Sequence, residues 1–359
     1  ALRLDGDSRK EWLGHADSIA RQGLRTLAIA RKTMPSRDGD AYTDLELLGI
    51  VGFEDPLRPE VLAAVQRCRA AGIRVVMVTG DHEATARHIA GHLDIDDVYA
   101  RVTPEQKLEL IARFQRDNQV VAMTGDGVND APALKHADIG IAMGKRGTAV
   151  AREASSMVLV DDNFGTIVEA IAQGRAIFGN IRKFVVYLLA CNASEILVIA
   201  IATLVGAPLP LLPLQILFLN LVTDVFPALA LGLGEGSAAL MRDRPRPSDE
   251  KIVMRGHWAR IGIRGLLIAA AVLGAMAVAI YGLELDTASA VTISFLTLAL
   301  AQVWHVFNMR DEASPVFVNE VTRNPFVWGA VVLCICLLYT SPSPRDQRPN
   351  LVCRLLLEK

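Results

Sequence analysis

Three segments of the chain hold side chains suited to phosphoryl chemistry: Thr79-Gly80-Asp81, Lys107, and Thr124-Gly125-Asp126-Gly127-Val128-Asn129-Asp130. Asp126 and Asp130 are placed to hold Mg²⁺, a hard cation that takes one or two carboxylates plus phosphate oxygens. Thr79 offers a hydroxyl and Gly80 a close backbone approach to a phosphoryl oxygen. Lys107 offers a point charge to a transferring group. Gly125 and Gly127 allow the turn that an acidic loop beside a phosphate requires. A lone Thr-Gly-Asp is a common strand-to-turn sequence. The seven-residue run, with a second Thr-Gly-Asp and a lysine between them, is far more specific.

A second set lies in apolar surroundings, where charge is costly and usually functional. Asn192 and Glu195 are three residues apart, so they share one helix face. Asn220, Thr223 and Asp224 share another. Pro227 cannot donate to the carbonyl of Thr223. A freed carbonyl beside carboxylate and amide oxygens makes an all-oxygen cluster suited to a hard cation. Hydrogen bonding that merely glues helices together is the plainer alternative, but it would not need two carboxylates.

The elements that must carry these residues follow from periodicity. Residues 11–31 read as a helix, a break at Gly23 and an apolar run, and 45–53 as a strand. Residues 59–71 read as a helix stopped by Gly72, and 73–78 as a β-branched strand ending at Thr79. A helix follows over about 83–93. Thr103 reads as an N-cap with Pro104 at the first helical position, opening a helix to about Arg116. Strands are expected at 119–123, 139–142 and 157–160. Strands alternating with helices imply a parallel, doubly wound sheet. Residues 164–183 keep helical spacing without a break and run into the first apolar span.

Spans are expected at about 184–205, 212–233, 259–281 and 288–307, with a truncated run at 326–337. The hydrophobic fraction of 52% therefore hides a division, since residues 184–234 hold only two charged side chains, Glu195 and Asp224. A purely soluble protein is excluded, as is a disordered one. The loop between the second and third spans carries Arg242, Arg244, Arg246, Lys251, Arg255 and Arg260, which marks the cytoplasmic side and puts the α/β part there too. Net charge of −2 gives no support for nucleic-acid binding. Five cysteines without a CxxC pair argue against a disulfide scaffold or zinc site. The Ser-Pro-Ser-Pro-Arg-Asp that follows Thr340 has no pattern in common with what precedes it, and 338–359 read as a tail foreign to the chain.

The first set resembles the haloacid-dehalogenase-type phosphoryl-transfer domain. Residues 124–144, TGDGVNDAPALKHADIGIAMG, are similar to the hinge segment of P-type ATPases. GFEDPLRPE (52–60), MVTGD (77–81) and ARVTPEQK (100–107) fit the same family, and Gln22-Gly23-Leu24-Arg25 resembles the end of its nucleotide-binding domain. PLQILFLNLVTDVFPALALG (213–232) and NASE (192–195) resemble the sixth and fifth spans of type II cation pumps. The fold implied is an α/β haloacid-dehalogenase-like, Rossmann-type phosphorylation domain followed by an all-α transmembrane bundle. The implied boundaries are 1–44 for a nucleotide-domain remnant, 45–163 for the phosphorylation domain, 164–183 for a stalk helix and 184–337 for the membrane domain.

By this resemblance Thr79, Gly80, Asp81, Lys107 and Asn129 serve phosphoryl transfer, and Arg25 and Arg101 the nucleotide. Mg²⁺ falls to Asp126 and Asp130. Asn192, Glu195, Asn220, Thr223 and Asp224 become ligands of a transported cation. Gln302 stands where reticulum-type calcium pumps carry a Glu, and reads equally as a ligand or a packing residue. The resemblance implies ATP and Mg²⁺ as cofactors, a cation and a lipid bilayer as partners, and no obligate protein partner. It implies a multi-pass place in the plasma membrane of a bacterium. Ca²⁺ is the favoured ion, with Mn²⁺, Na⁺ and K⁺ sharing its oxygen chemistry. Soft metals are disfavoured, because only Cys191 lies by the cluster.

The family's DKTG motif, which holds the phosphorylated Asp, is absent. Asp-x-Asp spacing occurs at Asp5–Asp7, Asp38–Asp40 and Asp94–Asp96, but none follows a buried strand. The nucleophile is therefore expected upstream of Ala1, along with the actuator domain and four spans, and the chain alone should be inactive. A phosphatase fused to a membrane anchor is the rival reading for residues 50–160. It leaves the polar faces of the first two spans unexplained.

Overall fold

A computed structural model of the chain describes residues 6–33, 40, 43–53, 57–236, 238–247, 249–311 and 314–340. Two compact units divide it: Ala1–Ile171 with Met241–Ser248, and Ala172–Leu240 with Asp249–Lys359.

In the first unit, α1 (Gly6–Arg21) precedes an antiparallel pair, β1 (Arg25–Arg31) and β2 (Glu46–Phe53). Then strands and helices alternate: α2 (Pro59–Ala70), β3 (Val76–Val78), α3 (Glu83–His92), β4 (Asp97–Tyr99), α4 (Pro104–Arg116), β5 (Ala122–Gly125), α5 (Ala131–His136), β6 (Ile139–Met143), α6 (Ala149–Ala154) and β7 (Met157–Leu159). Every pairing in this stretch is parallel, as crossover helices require. The expected doubly wound sheet is present as two ladders, β3–β4 and β5–β6–β7, among the described residues.

β3 is shorter than its β-branched run because helix termination consumes the start of that run. Gly72 adopts φ +70°, and the Ile73 amide bonds back to the Cys68 carbonyl at 2.9 Å. β5 starts later than expected for the same reason. The Gln119 amide closes α4 on the Phe114 carbonyl, and the Val121 amide is taken by the Asp138 carboxylate. Apolar helix faces fill the space beside the strands, with Val65, Ala90, Leu93 and Ile95 in one cluster and Leu134, Ala142 and Ala151 in another.

The expected cap at Thr103 is present as a full capping box. Its hydroxyl accepts from the Gln106 amide at 3.3 Å, and Gln106 Oε1 accepts from the Thr103 amide at 2.9 Å. Thr103→Ala is expected to cost about 1 kcal/mol. A lowered thermal midpoint of the intact protein checks it, and an unmoved midpoint would contradict it.

The helix α7 (Phe164–Leu204) is continuous over 41 residues, as the unbroken spacing predicts. In the second unit α8 (Pro213–Leu219) and α9 (Val225–Gly232) flank a π-turn at Asn220–Asp224. α10 (Arg255–Ala277), α11 (Thr287–His305) and α12 (Pro325–Thr340) follow. Among the described residues, four helical stretches are long and apolar enough to cross a membrane: Phe164–Leu204, Pro213–Gly232, Arg255–Gly282 and Thr287–Met309. Leu204, Leu214 and Leu217 point outward, where lipid would cover them, and Val198, Leu219, Val272 and Leu298 pack inside. The fifth helix has 16 residues, and of the tail only 338–340 lie among the described residues.

Loops of this unit are tied to α7 by polar contacts. Asn180 donates to the Gly234 carbonyl at 2.6 Å, Arg182 pairs with Glu250, and Lys183 pairs with Asp311 and Glu320 at 3.0 and 2.9 Å. Burial alone would push the Glu320 carboxyl up, but Lys183 and the Asp311 amide outweigh it and hold it down at about 2. A depressed carboxyl stabilises the fold above its ordinary range, and that contribution is lost as pH falls through the folded value. Glu320→Gln is therefore expected to weaken the fold at neutral pH and to flatten the acid limb of a pH–stability curve. An acid limb identical to wild type would contradict this.

Candidate functional site

In the first unit the two Thr-Gly-Asp segments sit at the carboxyl ends of β3 and β5, the ends that form the crevice of an open parallel sheet. The Thr79 hydroxyl accepts from the Asp81 amide at 3.1 Å and lies 3.1 Å from Asp81 Oδ2. The Arg101 amide donates to the Asp81 carbonyl at 3.1 Å, and Arg101 takes φ +53°, a strained setting for a long side chain. Gly80, Asp81 and Arg101 line a cavity of about 670 Å³, together with Asp17, Gly23 and Phe53. Arg25 begins β1, but its side chain lies outside the described ones, as do residues 54–56 of the segment after β2.

Lys107, on α4, reaches across to the loop after β5. Its ammonium lies 2.6 Å from Asp130 Oδ1, and both side chains are largely buried. Asp130 Oδ2 accepts from the Gly127 amide at 3.3 Å. A Cβ on Gly125 would stand 2.7 Å from the Asp130 Cβ, so glycine is required there to let the carboxylate in. Both Asp130 oxygens are thus engaged, whereas the sequence pairs Asp130 with Asp126 as a metal ligand. Asp126 and Asn129 are exposed, and Asp126 has no described side-chain partner. One exposed carboxylate in this loop fits Mg²⁺ that takes its remaining ligands from phosphate and water. No group of three His, Cys, Asp or Glu among the described residues could hold a metal by itself.

In the second unit Glu195, Thr223, Asp224 and Gln302 are buried together on α7, the π-turn and α11. Gln302 Nε2 donates to Glu195 Oε1 at 3.0 Å. The Thr223 hydroxyl lies 3.0 Å from Gln302 Oε1 and 2.9 Å from the Leu219 carbonyl, and its one proton can go to either. Asp224 is 3% exposed, and among the described residues no N–H or O–H donor reaches either of its oxygens. The Cys191 thiol lies beside it. Asn220 is half-buried at the start of the π-turn. Asn192 differs from expectation. It is exposed and bonds back to the Leu188 carbonyl at 2.9 Å, because three residues of helical spacing turn it away from the inner face that Glu195 holds.

The Thr223 carbonyl also departs from its expected role. Pro227 denies it an amide, yet it is not left open, because the Tyr187 hydroxyl donates to it at 2.9 Å. Tyr187 is not marked out by its residue type or by any of the motifs above. The signal was its spacing, since Tyr187, Cys191 and Glu195 follow one another at four-residue intervals on one face of α7.

Known proteins match both halves. Residues 6–138 match the family model of haloacid dehalogenase-like hydrolases, and residues 106–171 match a second model of that description. Residues 208–342 match the cation transporting ATPase C-terminus. A calcium-transporting ATPase of Bacillus subtilis is 46% identical over 352 residues, which is 89% of this chain and 39% of that protein. One of Listeria monocytogenes is 38% identical, over 89% of this chain and 40% of the relative. One of Lactococcus lactis is 37% identical, over 94% and 42%. The chain spans about two fifths of the length of these relatives.

Proposed function

The chain belongs to the P-type cation-transporting ATPases, and on that footing we propose that it forms the C-terminal part of a pump that moves a hard cation, Ca²⁺ first, across a membrane at the expense of ATP. The observation that carries this reading is Asp224. A carboxylate shut among apolar helices, with no N–H or O–H donor among the described residues and only a weakly donating thiol beside it, must protonate or meet a cation. Glu195, Thr223 and Gln302 add oxygens close by, and oxygen donors favour Ca²⁺, with Mn²⁺, Na⁺ and K⁺ as alternatives.

The phosphoryl chemistry falls to the first unit. Asp130 fixes the Lys107 ammonium, which would offset charge on a transferring phosphoryl group. Thr79 and Gly80 would contact its oxygens, and Arg101 faces the cavity that ATP would enter. Mg²⁺ held by Asp126 would neutralise phosphate charge. The acceptor aspartate is assigned to a segment outside these residues, so this chain alone would form no phosphoenzyme. The arginine-rich loop favours a cytoplasmic α/β part, with the plasma membrane of a bacterium as the setting.

ATP hydrolysis and ion uptake by the full-length protein in lipid vesicles test this, screened over Ca²⁺, Mn²⁺, Na⁺ and K⁺. Hydrolysis stimulated by one of them, with an acid-stable phosphoenzyme, is expected. Cation-independent phosphatase activity would favour the anchored-phosphatase rival and overturn the pump.

A further inference from the structure

Pro227 withholds an amide from the turn before it. It is the i+4 partner of Thr223 in an α register and the i+5 partner of Val222 in a π register. Both carbonyls are met by side chains of other helices. Tyr187 Oη, on α7, donates to Thr223 at 2.9 Å, and Cys334 Sγ, on α12, lies 3.2 Å from the Val222 oxygen. Tyr187 Oη also lies 3.2 Å from the Gln302 carbonyl on α11. The phenol is fully buried, and its ring stacks on His305 with centroids 6.0 Å apart. The three segments that meet at this one oxygen are those that carry Glu195, Asp224 and Gln302.

We propose that Tyr187 is the positioning residue of the cation cluster. Its hydroxyl pins the carbonyl that Pro227 frees, and so sets the distance between Glu195 on α7 and Asp224 on the π-turn. The inference rests on the cation-pump reading. Thr223 and Asp224 are adjacent, so a shift of the pinned carbonyl moves the carboxylate with it. Hard-cation sites need oxygens to converge at about 2.3–2.6 Å, and they lose affinity when one donor drifts. A phenylalanine would keep the ring and its stacking but leave the carbonyl without its donor.

The test uses the full-length protein in vesicles, wild type against Tyr187→Phe, with Ca²⁺ as the probe. The Ca²⁺ concentration for half-maximal phosphorylation from ATP should rise about tenfold, the equivalent of about 1.4 kcal/mol for one buried hydrogen bond. The maximal rate at saturating Ca²⁺, and phosphorylation by inorganic phosphate without Ca²⁺, should stay within about twofold. Pro227→Ala gives the turn its own amide, so Tyr187→Phe added to it should shift the half-maximal concentration less than about twofold. That pair also keeps the test open if the single variant fails to assemble. An unmoved half-maximal concentration in Tyr187→Phe, or an equal shift in both backgrounds, would overturn the positioning role. A wild type with no cation dependence would instead overturn the pump reading itself.

Discussion

Asp126→Asn in the full-length protein is expected to lower Mg²⁺-dependent phosphorylation from ATP by on the order of a hundredfold or more, because metal-held charge at a phosphoryl group contributes several kcal/mol. The choice of Asp126 over Asp130 comes from the geometry. Asp130 spends one oxygen on Lys107 at 2.6 Å and the other on the Gly127 amide, while Asp126 is exposed and unshared among the described residues. The asparagine keeps the size and an oxygen, and loses only the charge. Asp130→Asn should behave differently. It would loosen Lys107 and slow phosphorylation at every Mg²⁺ concentration, without moving the Mg²⁺ concentration for half-maximal rate. Titration of both variants with Mg²⁺ separates the two. Near-normal phosphoenzyme in Asp126→Asn would mean that the metal is held elsewhere.

What the sequence allowed, and where it stopped, follows from which forces are local. The cap at Thr103, the stop at Gly72 and the 41-residue helix from Phe164 depend on neighbours within a turn or two, and the structure carries all three. Two strands start later than β-propensity predicts, since helix closure at Ile73 and Gln119 takes residues that it assigns to them. In the first site the residue types were legible and their division of labour was not. Whether Asp130 faces a metal or Lys107 depends on α4 and the loop after β5 approaching each other, which spacing along the chain does not encode. In the second site Pro227 announced a free carbonyl, and the missing information was a partner on another helix, 36 residues away at Tyr187. Helical spacing puts Asn192 near the face of Glu195, but three residues fall about 60° short of a full turn, which leaves it outside.

Asp224→Asn is expected to abolish cation-stimulated phosphorylation from ATP while phosphorylation by inorganic phosphate persists, since the first reaction needs the ion and the second does not, as the family resemblance implies. The physical case starts from the cost of the wild-type arrangement. Asp224 is buried without an N–H or O–H donor among the described residues, close enough to Glu195 for the two to repel when both are charged. Such a pair is tolerable only when a proton or a cation sits between the groups. An asparagine removes the repulsion together with the attraction for the ion. The cation-free variant should therefore unfold at a temperature no lower than wild type. A ligand at about a hundred times its dissociation constant stabilises a folded protein by about 2.7 kcal/mol. Saturating cation should raise the thermal midpoint of the wild type accordingly and leave that of Asp224→Asn unmoved. This second readout does not depend on catalysis, so it separates loss of the ion site from damage to the phosphoryl machinery. A cation-induced rise of equal size in both proteins would remove Asp224 from the ion site, while the assignments of Lys107 and Asp126 would stand, because they rest on contacts within the other unit.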